Sequence, residues 1–85
     1  MTEELPTRRY DLAGTDLDGR AVRVSLGLSR QLYRCPGCRD SLQIGAEHII
    51  LVLEEPDGAR YHQHWHTACV ASILRELQGV RRLAR

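Results

Sequence analysis

The sequence predicts a small α+β domain that needs a bound metal ion to complete its core. Three observations predict it. The chain has 85 residues, and a domain this short buries only about 60% of the surface its unfolded chain exposes, so an unaided core is marginal. Its three cysteines, an odd number, fall into two short motifs and cannot form a fully paired disulfide framework. Between and after those motifs, the hydrophobic pattern changes from strand spacing to helix spacing.

Residues 1–7, with Glu3, Glu4 and Pro6, read as a flexible leader. Residues 10–14 and 20–26 alternate apolar and polar positions, and Asp18-Gly19 between them is a strong hairpin signal. Residues 8–27 are therefore expected to form an N-terminal β-hairpin that ends at Gly27. Residues 28–33 are either one helical turn capped by Ser29 or a plain connector. Cys35 to Cys38 then make a tight turn. Residues 48–53 (His-Ile-Ile-Leu-Val-Leu) form an apolar run of strand length. The run stops at a turn cluster, Glu54-Glu55-Pro56-Asp57-Gly58.

Residues 59–65 return as a second strand. Tyr61, Gln63 and Trp65 share one face of it, and His62, His64 and His66 share the other if the strand stays regular. From Thr67 the period changes. Val70, Ile73, Leu74 and Leu77 follow helical spacing, with Gly79 as the C-cap. Residues 80–85 form a basic tail that extends the helix or frays. The organisation is thus one domain over 8–79, comprising the hairpin at 8–27 and a metal-centred unit at 33–79.

The motifs are C-x2-C at Cys35 and Cys38, then 27 intervening residues, then H-x2-C at His66 and Cys69. Three thiolates and one imidazole are a standard closed ligand set for structural zinc. Pro36 fixes one dihedral of the knuckle and Gly37 permits a left-handed one. A separation of three places His66 and Cys69 on one face of a first helical turn, next to its partial positive charge. A knuckle and a helix start, joined by a β-hairpin, describe a treble clef with zinc as its folding cofactor. His64 is the rival to His66 as fourth ligand. His62 and His48 are expected at the surface or supporting the ligands, with Trp65 as a core anchor beside the metal.

Cys35-x2-Cys38, Leu42-x2-Gly45-x2-His48 and Trp65-His66-x2-Cys69 resemble the zinc fingers of the poly(ADP-ribose) polymerase nick-sensing type, and LIM modules. Residues 33–38 and 64–69 also resemble a group of small actinobacterial proteins of unknown function. These resemblances span less than half the chain and imply a treble-clef fold and a ligand set.

Hydrophobic residues make up 42% and charged residues 27%, which argues against wholesale disorder. All twelve basic residues are arginine, and Lys, Asn and Phe are absent, a bias expected of a GC-rich genome. No apolar run approaches the roughly 18 residues of a membrane span, and the N-terminus shows no signal-peptide core; a cytoplasmic protein without a membrane partner is the expectation. With all three thiols assigned to metal, no open coordination position and no P-loop, no enzyme activity and no small-molecule substrate are expected. The formal charge of +1 is small, so any attraction to nucleic acid must come from segregated charge. Arg34 and Arg39 flank the knuckle, while Arg75, Arg81, Arg82 and Arg85 crowd the C-terminal end. The expected partner is nucleic acid through these arginines or, alternatively, a larger protein docked on the domain with zinc purely structural.

Overall fold

A computed structural model describes residues 5–85, so most of the expected leader, residues 1–4, lies outside the described residues. Strands β1 (Tyr10–Thr15) and β2 (Ala21–Leu28) pair antiparallel, with Leu12 opposite Val24 and Gly14 opposite Val22. This is the hairpin that Asp18-Gly19 predicts. Residues 29–32 are a connector, not a helical turn: Ser29 is buried and its hydroxyl donates to the Gln31 carbonyl. Two short strands, β3 (Tyr33–Arg34) and β4 (Ser41–Leu42), then pair with each other and carry the knuckle between them.

The apolar run becomes β5 (Glu47–Glu54), which pairs with β6 (Arg60–Trp65) in a second antiparallel hairpin. Alternation sends Ile49, Leu51 and Leu53 into the core and leaves Ile50 and Val52 half-buried on the other face. The two hairpins are not separate units. β2 pairs with β5 along its whole length, from Ala21 opposite Glu54 to Leu28 opposite Glu47. One five-stranded sheet results, in the order β6-β5-β2-β1, with a further strand beyond β1.

That further strand corrects the reading of the C-terminus. Helix α1 (Ala71–Glu76) is short, and Leu77 already has an extended ψ of 139°. Gly79 does not cap it. Instead β7 (Gln78–Ala84) pairs with the free edge of β1, so residues 80–85 neither extend the helix nor fray. The register slips between Ala13 and Thr15, and Gly79 takes up the resulting bulge at φ 62°. The unpaired N–H and C=O groups of β1 supply the driving force that local spacing hides.

The described residues are therefore mostly β, with one short helix. The core lies on one face of the sheet, where Leu12, Val22, Val24, Ile49 and Leu51 meet Val70, Leu74 and Leu77. Burying each aliphatic side chain contributes about 1.5–3 kcal/mol. The opposite face carries Asp11, Arg23, His62 and Arg81 and is not covered by α1. Among the described residues, no helix is long and apolar enough to cross a membrane.

Candidate metal centre

The C-x2-C segment is folded by its own backbone. Cys35 N–H donates to the Asp40 carbonyl at 3.0 Å, and Arg39 N–H donates to the Cys35 carbonyl at 2.8 Å. Gly37 is needed here for space. A Cβ at this position would lie 2.9 Å from Cζ3 of Trp65 and 3.1 Å from Cβ of Cys69. The knuckle thus presses directly on the Trp65 ring, which is buried and donates through Nε1 to Oε1 of Gln63. Trp65 is the core anchor the sequence suggests.

β6 ends at Trp65, and residues 66–69 turn the chain toward α1, with Cys69 N–H donating to the His66 carbonyl at 3.0 Å. His66 and Cys69 therefore sit in the turn that precedes α1, not on its first helical turn as the spacing suggests. A tight turn brings residues three apart together as well as a helix does, so the spacing alone does not distinguish the two.

Sγ of Cys35, Cys38 and Cys69 and one ring nitrogen of His66 all lie within 4.8 Å of one another. Nδ1 of His66 is 3.2 Å from Sγ of Cys38 and 3.8 Å from Sγ of Cys69. A tetrahedral ion with metal–sulfur bonds near 2.3 Å and metal–nitrogen bonds near 2.0 Å has sulfur–nitrogen edges of about 3.6 Å. The distances fit. Nε2 of His66 stands 3.2 Å from the carbonyl of Ser41. A carbonyl only accepts, so Nε2 bears the hydrogen and Nδ1 presents its lone pair to the thiols. An outer hydrogen bond of this kind is what orients a ligating histidine.

The electrostatics point the same way. Burial pushes the Cys35 thiol up, but the backbone N–H groups of His66, Cys38 and Gly37 and the His66 ring outweigh it and bring its pKa down to about 6. Burial, together with the other two sulfurs, pushes Cys69 up to about 11. Three adjacent thiols cannot all ionise in this small space unaided, and a divalent cation among them removes the obstacle. All three cysteines are free of disulfides. The Cys3His cluster is thus suited to hold a metal ion with four protein donors.

His64 is not a member. Its Nδ1 lies 2.8 Å from Nε2 of His48, and the Tyr33 ring stacks on it with centroids 3.5 Å apart and planes 9° from parallel. His48 also departs from the expectation of a surface or ligand-supporting role. It is fully buried, its Nε2 meets Nδ1 of His64, its ring stacks near that of Tyr33, and among the described residues its Nδ1 has no hydrogen-bond partner. Strand parity could have hinted at this, since His48 and His64 point to the same face once β5 and β6 are paired. His62 is exposed, as expected.

The six arginines do not converge on one patch. Arg34 and Arg39 stand exposed at the knuckle, where the Arg34 guanidinium donates to the Arg39 carbonyl. Arg75 is in the last turn of α1. On β7, Arg82 lies over the Tyr10 ring, and Arg85, just beyond the strand, pairs with the buried Asp11 at 3.0 Å. Arg81 points to the open face with Arg23, the other partner of Asp11 at 2.9 Å. Sequence reasoning missed Arg23, because its role depends on strand pairing alone.

A family model described as "Rv1322 family protein" matches residues 15–71, a span that includes all four ligand positions. "Uncharacterized protein Rv1322" of Mycobacterium tuberculosis and "Uncharacterized protein Mb1356" of Mycobacterium bovis are each 35% identical over 63 residues, covering 71% of this chain and 64% of theirs. The chain thus spans just under two thirds of the length of these relatives. No solved structure matches it.

Proposed function

We propose, from the premise that this chain belongs to the Rv1322 family, that it is a zinc-stabilised interaction module which contacts nucleic acid through arginines. The observation that carries the zinc assignment is the closed set of three cysteine sulfurs and the oriented Nδ1 of His66. Thiolates select a softer ion than calcium or magnesium, and a tetrahedral Cys3His set is a usual home for zinc. When bound, zinc supplies a cross-link between the knuckle and the turn before α1. Cys35 and Cys38 hold one side, His66 and Cys69 hold the other, and Ser41 fixes the imidazole. The treble-clef reading, with its likeness to polymerase-type and LIM fingers, rests on this order of knuckle, β-hairpin, ligand turn and helix. No role in catalysis is assigned to the ion, because four protein donors fill its tetrahedron.

The nucleic-acid reading is supported by the excess of exposed arginine at the knuckle and on β7. A salt titration of binding to single-stranded and duplex oligonucleotides tests it. The expected result is an affinity that falls steeply between low and moderate salt. Absence of binding at low salt would overturn it. A second reading, a protein-docking adaptor, is favoured by one observation: Leu28, Leu32 and Ile44 are each more than 60% exposed. The Ser29–Gly45 and Ser29–Ala46 backbone bonds draw their segments together at one end of the sheet. A nuclease-resistant partner lost on Leu32→Asp and Ile44→Asp would support that reading.

A further inference from the structure

The open face of the sheet holds one cross-strand row that passes through all five strands. The registers place Arg81 beside Ala13, Ala13 beside Arg23, Arg23 beside Val52, and Val52 beside His62. With strands about 4.8 Å apart, Arg81 and Arg23 are about 10 Å apart, and His62 lies about 10 Å further on. Small or apolar residues separate the basic ones. The row lines a depression of about 430 Å³, together with Glu54 and Arg60. The depression is solvent-facing: Arg23, Arg60, His62 and Arg81 are all exposed.

Charge on this face is one-sided. Among the described residues, Arg23, Arg60, Arg81 and Arg85 stand against two carboxylates, Asp11 and Glu54. Asp11 is buried beneath its two arginines and offers little repulsion to an approaching anion. Arg60 spends only Nε on Glu54, at 2.8 Å. Arg81 makes no ion pair among the described residues. At the β6 edge, the exposed His62 ring adds a flat surface in the same depression as Arg23, Arg60 and Arg81. A cationic groove with a ring at one side is the arrangement that binds single strands, phosphates on the guanidinium groups and a base on the ring.

We infer that this open face is the nucleic-acid surface of the domain, and that its occupant is a single strand running across the sheet along the Arg81–Arg23–His62 row. The inference rests on the nucleic-acid reading above and moves its centre from the knuckle to the sheet. Arg81 and Arg60 contact phosphates, Arg23 is held in place by Asp11, and His62 stacks on a base.

The test uses the full zinc-loaded chain and fluorescently labelled oligonucleotides of mixed sequence, as single-stranded RNA, single-stranded DNA and duplex DNA. Arg81→Ala and Arg60→Ala should each lower the salt slope by about one, and together weaken single-strand binding at least tenfold at low salt. His62→Ala should weaken single-strand binding and leave any duplex binding unchanged. Unaltered zinc content and circular dichroism would show that these exposed sites leave the fold intact. If Arg34→Gln with Arg39→Gly abolishes binding while the face variants leave it unchanged, the open-face inference is overturned and the nucleic-acid reading stands. Duplex bound more tightly than single strand would overturn the proposed occupant. No binding of any oligonucleotide would overturn both.

Discussion

Two tight turns of similar length sit on this fold, and they are held in different ways. The β1–β2 turn is self-sufficient. One carboxylate, Asp16, accepts through Oδ1 from the N–H groups of Asp18 and Arg20, and through Oδ2 from Nε of Arg20. Arg20 then reaches Glu55 on the neighbouring hairpin at 3.4 Å. The Cys35–Asp40 knuckle closes its backbone too, but its two cysteine sulfurs gather with that of Cys69 around a ring nitrogen of His66. The first turn spends its charges on hydrogen bonds at the surface. The second gathers groups that repel when ionised, and a metal ion held among them would turn that repulsion into a cross-link.

The contrast is broken most severely by taking the metal away. Chelation, or Cys69→Ser, should detach the knuckle from Trp65 and abolish the near-ultraviolet dichroism of that ring. Metal sites of this kind contribute on the order of 10 kcal/mol to folding, so the thermal transition should be lost or greatly lowered. The β1–β2 turn depends on no ligand, and its amide signals should be the last to disperse. Retention of a full-strength Trp65 signal in the chelated protein would break the comparison.

Gly37→Ala is expected to act next. The new methyl group meets Trp65 and Cys69 at less than contact distance, and forcing it in costs about 1–3 kcal/mol. Chemical denaturation should show the loss, together with a weaker affinity for metal. His64→Ala sharpens the comparison from the other side. It leaves His48 buried without its partner, at a cost of about 1–3 kcal/mol, yet metal content measured by native mass spectrometry should stay at one ion per chain. His66→Ala should do the reverse and deplete the ion.

Asp16→Ala gives the smallest effect, about 1–2 kcal/mol, with metal content unchanged. Its pH dependence has a definite sign. Burial pushes the Asp16 carboxyl up, but hydrogen bonds and charge from Arg20 and the Asp18 N–H bring it below the ordinary 3.8. A lowered folded pKa means that the stabilisation is complete above pH 3.8 and fades as the pH falls through the folded value. The amide resonances of Asp18 and Arg20 should titrate with a midpoint below 3.8. A midpoint above it would contradict the hydrogen-bonded assignment.

What could be read from sequence follows the same division between local and distant causes. Asp18-Gly19 and Pro56-Asp57-Gly58 marked both hairpins because a turn is specified by its own residues. The ligand spacings bring four candidate donor side chains within reach of one another for the same reason. The β2–β5 pairing that joins the hairpins was hidden, since nothing in either strand names its neighbour. The last strand is not legible locally, because Val80, Leu83 and the arginines around them suit a helix as well as an edge. Only the open edge of β1 decides between them. The burial of His48 is hidden for the same reason, since its partner, sixteen residues away, is set by register.

The central claim is that three cysteine sulfurs and one histidine nitrogen hold a single zinc ion. X-ray absorption at the zinc edge of the purified chain tests it most directly. One zinc per chain is expected, with three sulfur neighbours near 2.3 Å and one nitrogen near 2.0–2.1 Å, and the nitrogen lost in His66→Ala but kept in His64→Ala. A first shell containing fewer than three sulfurs, or a nitrogen that disappears with His64 in place of His66, would contradict it.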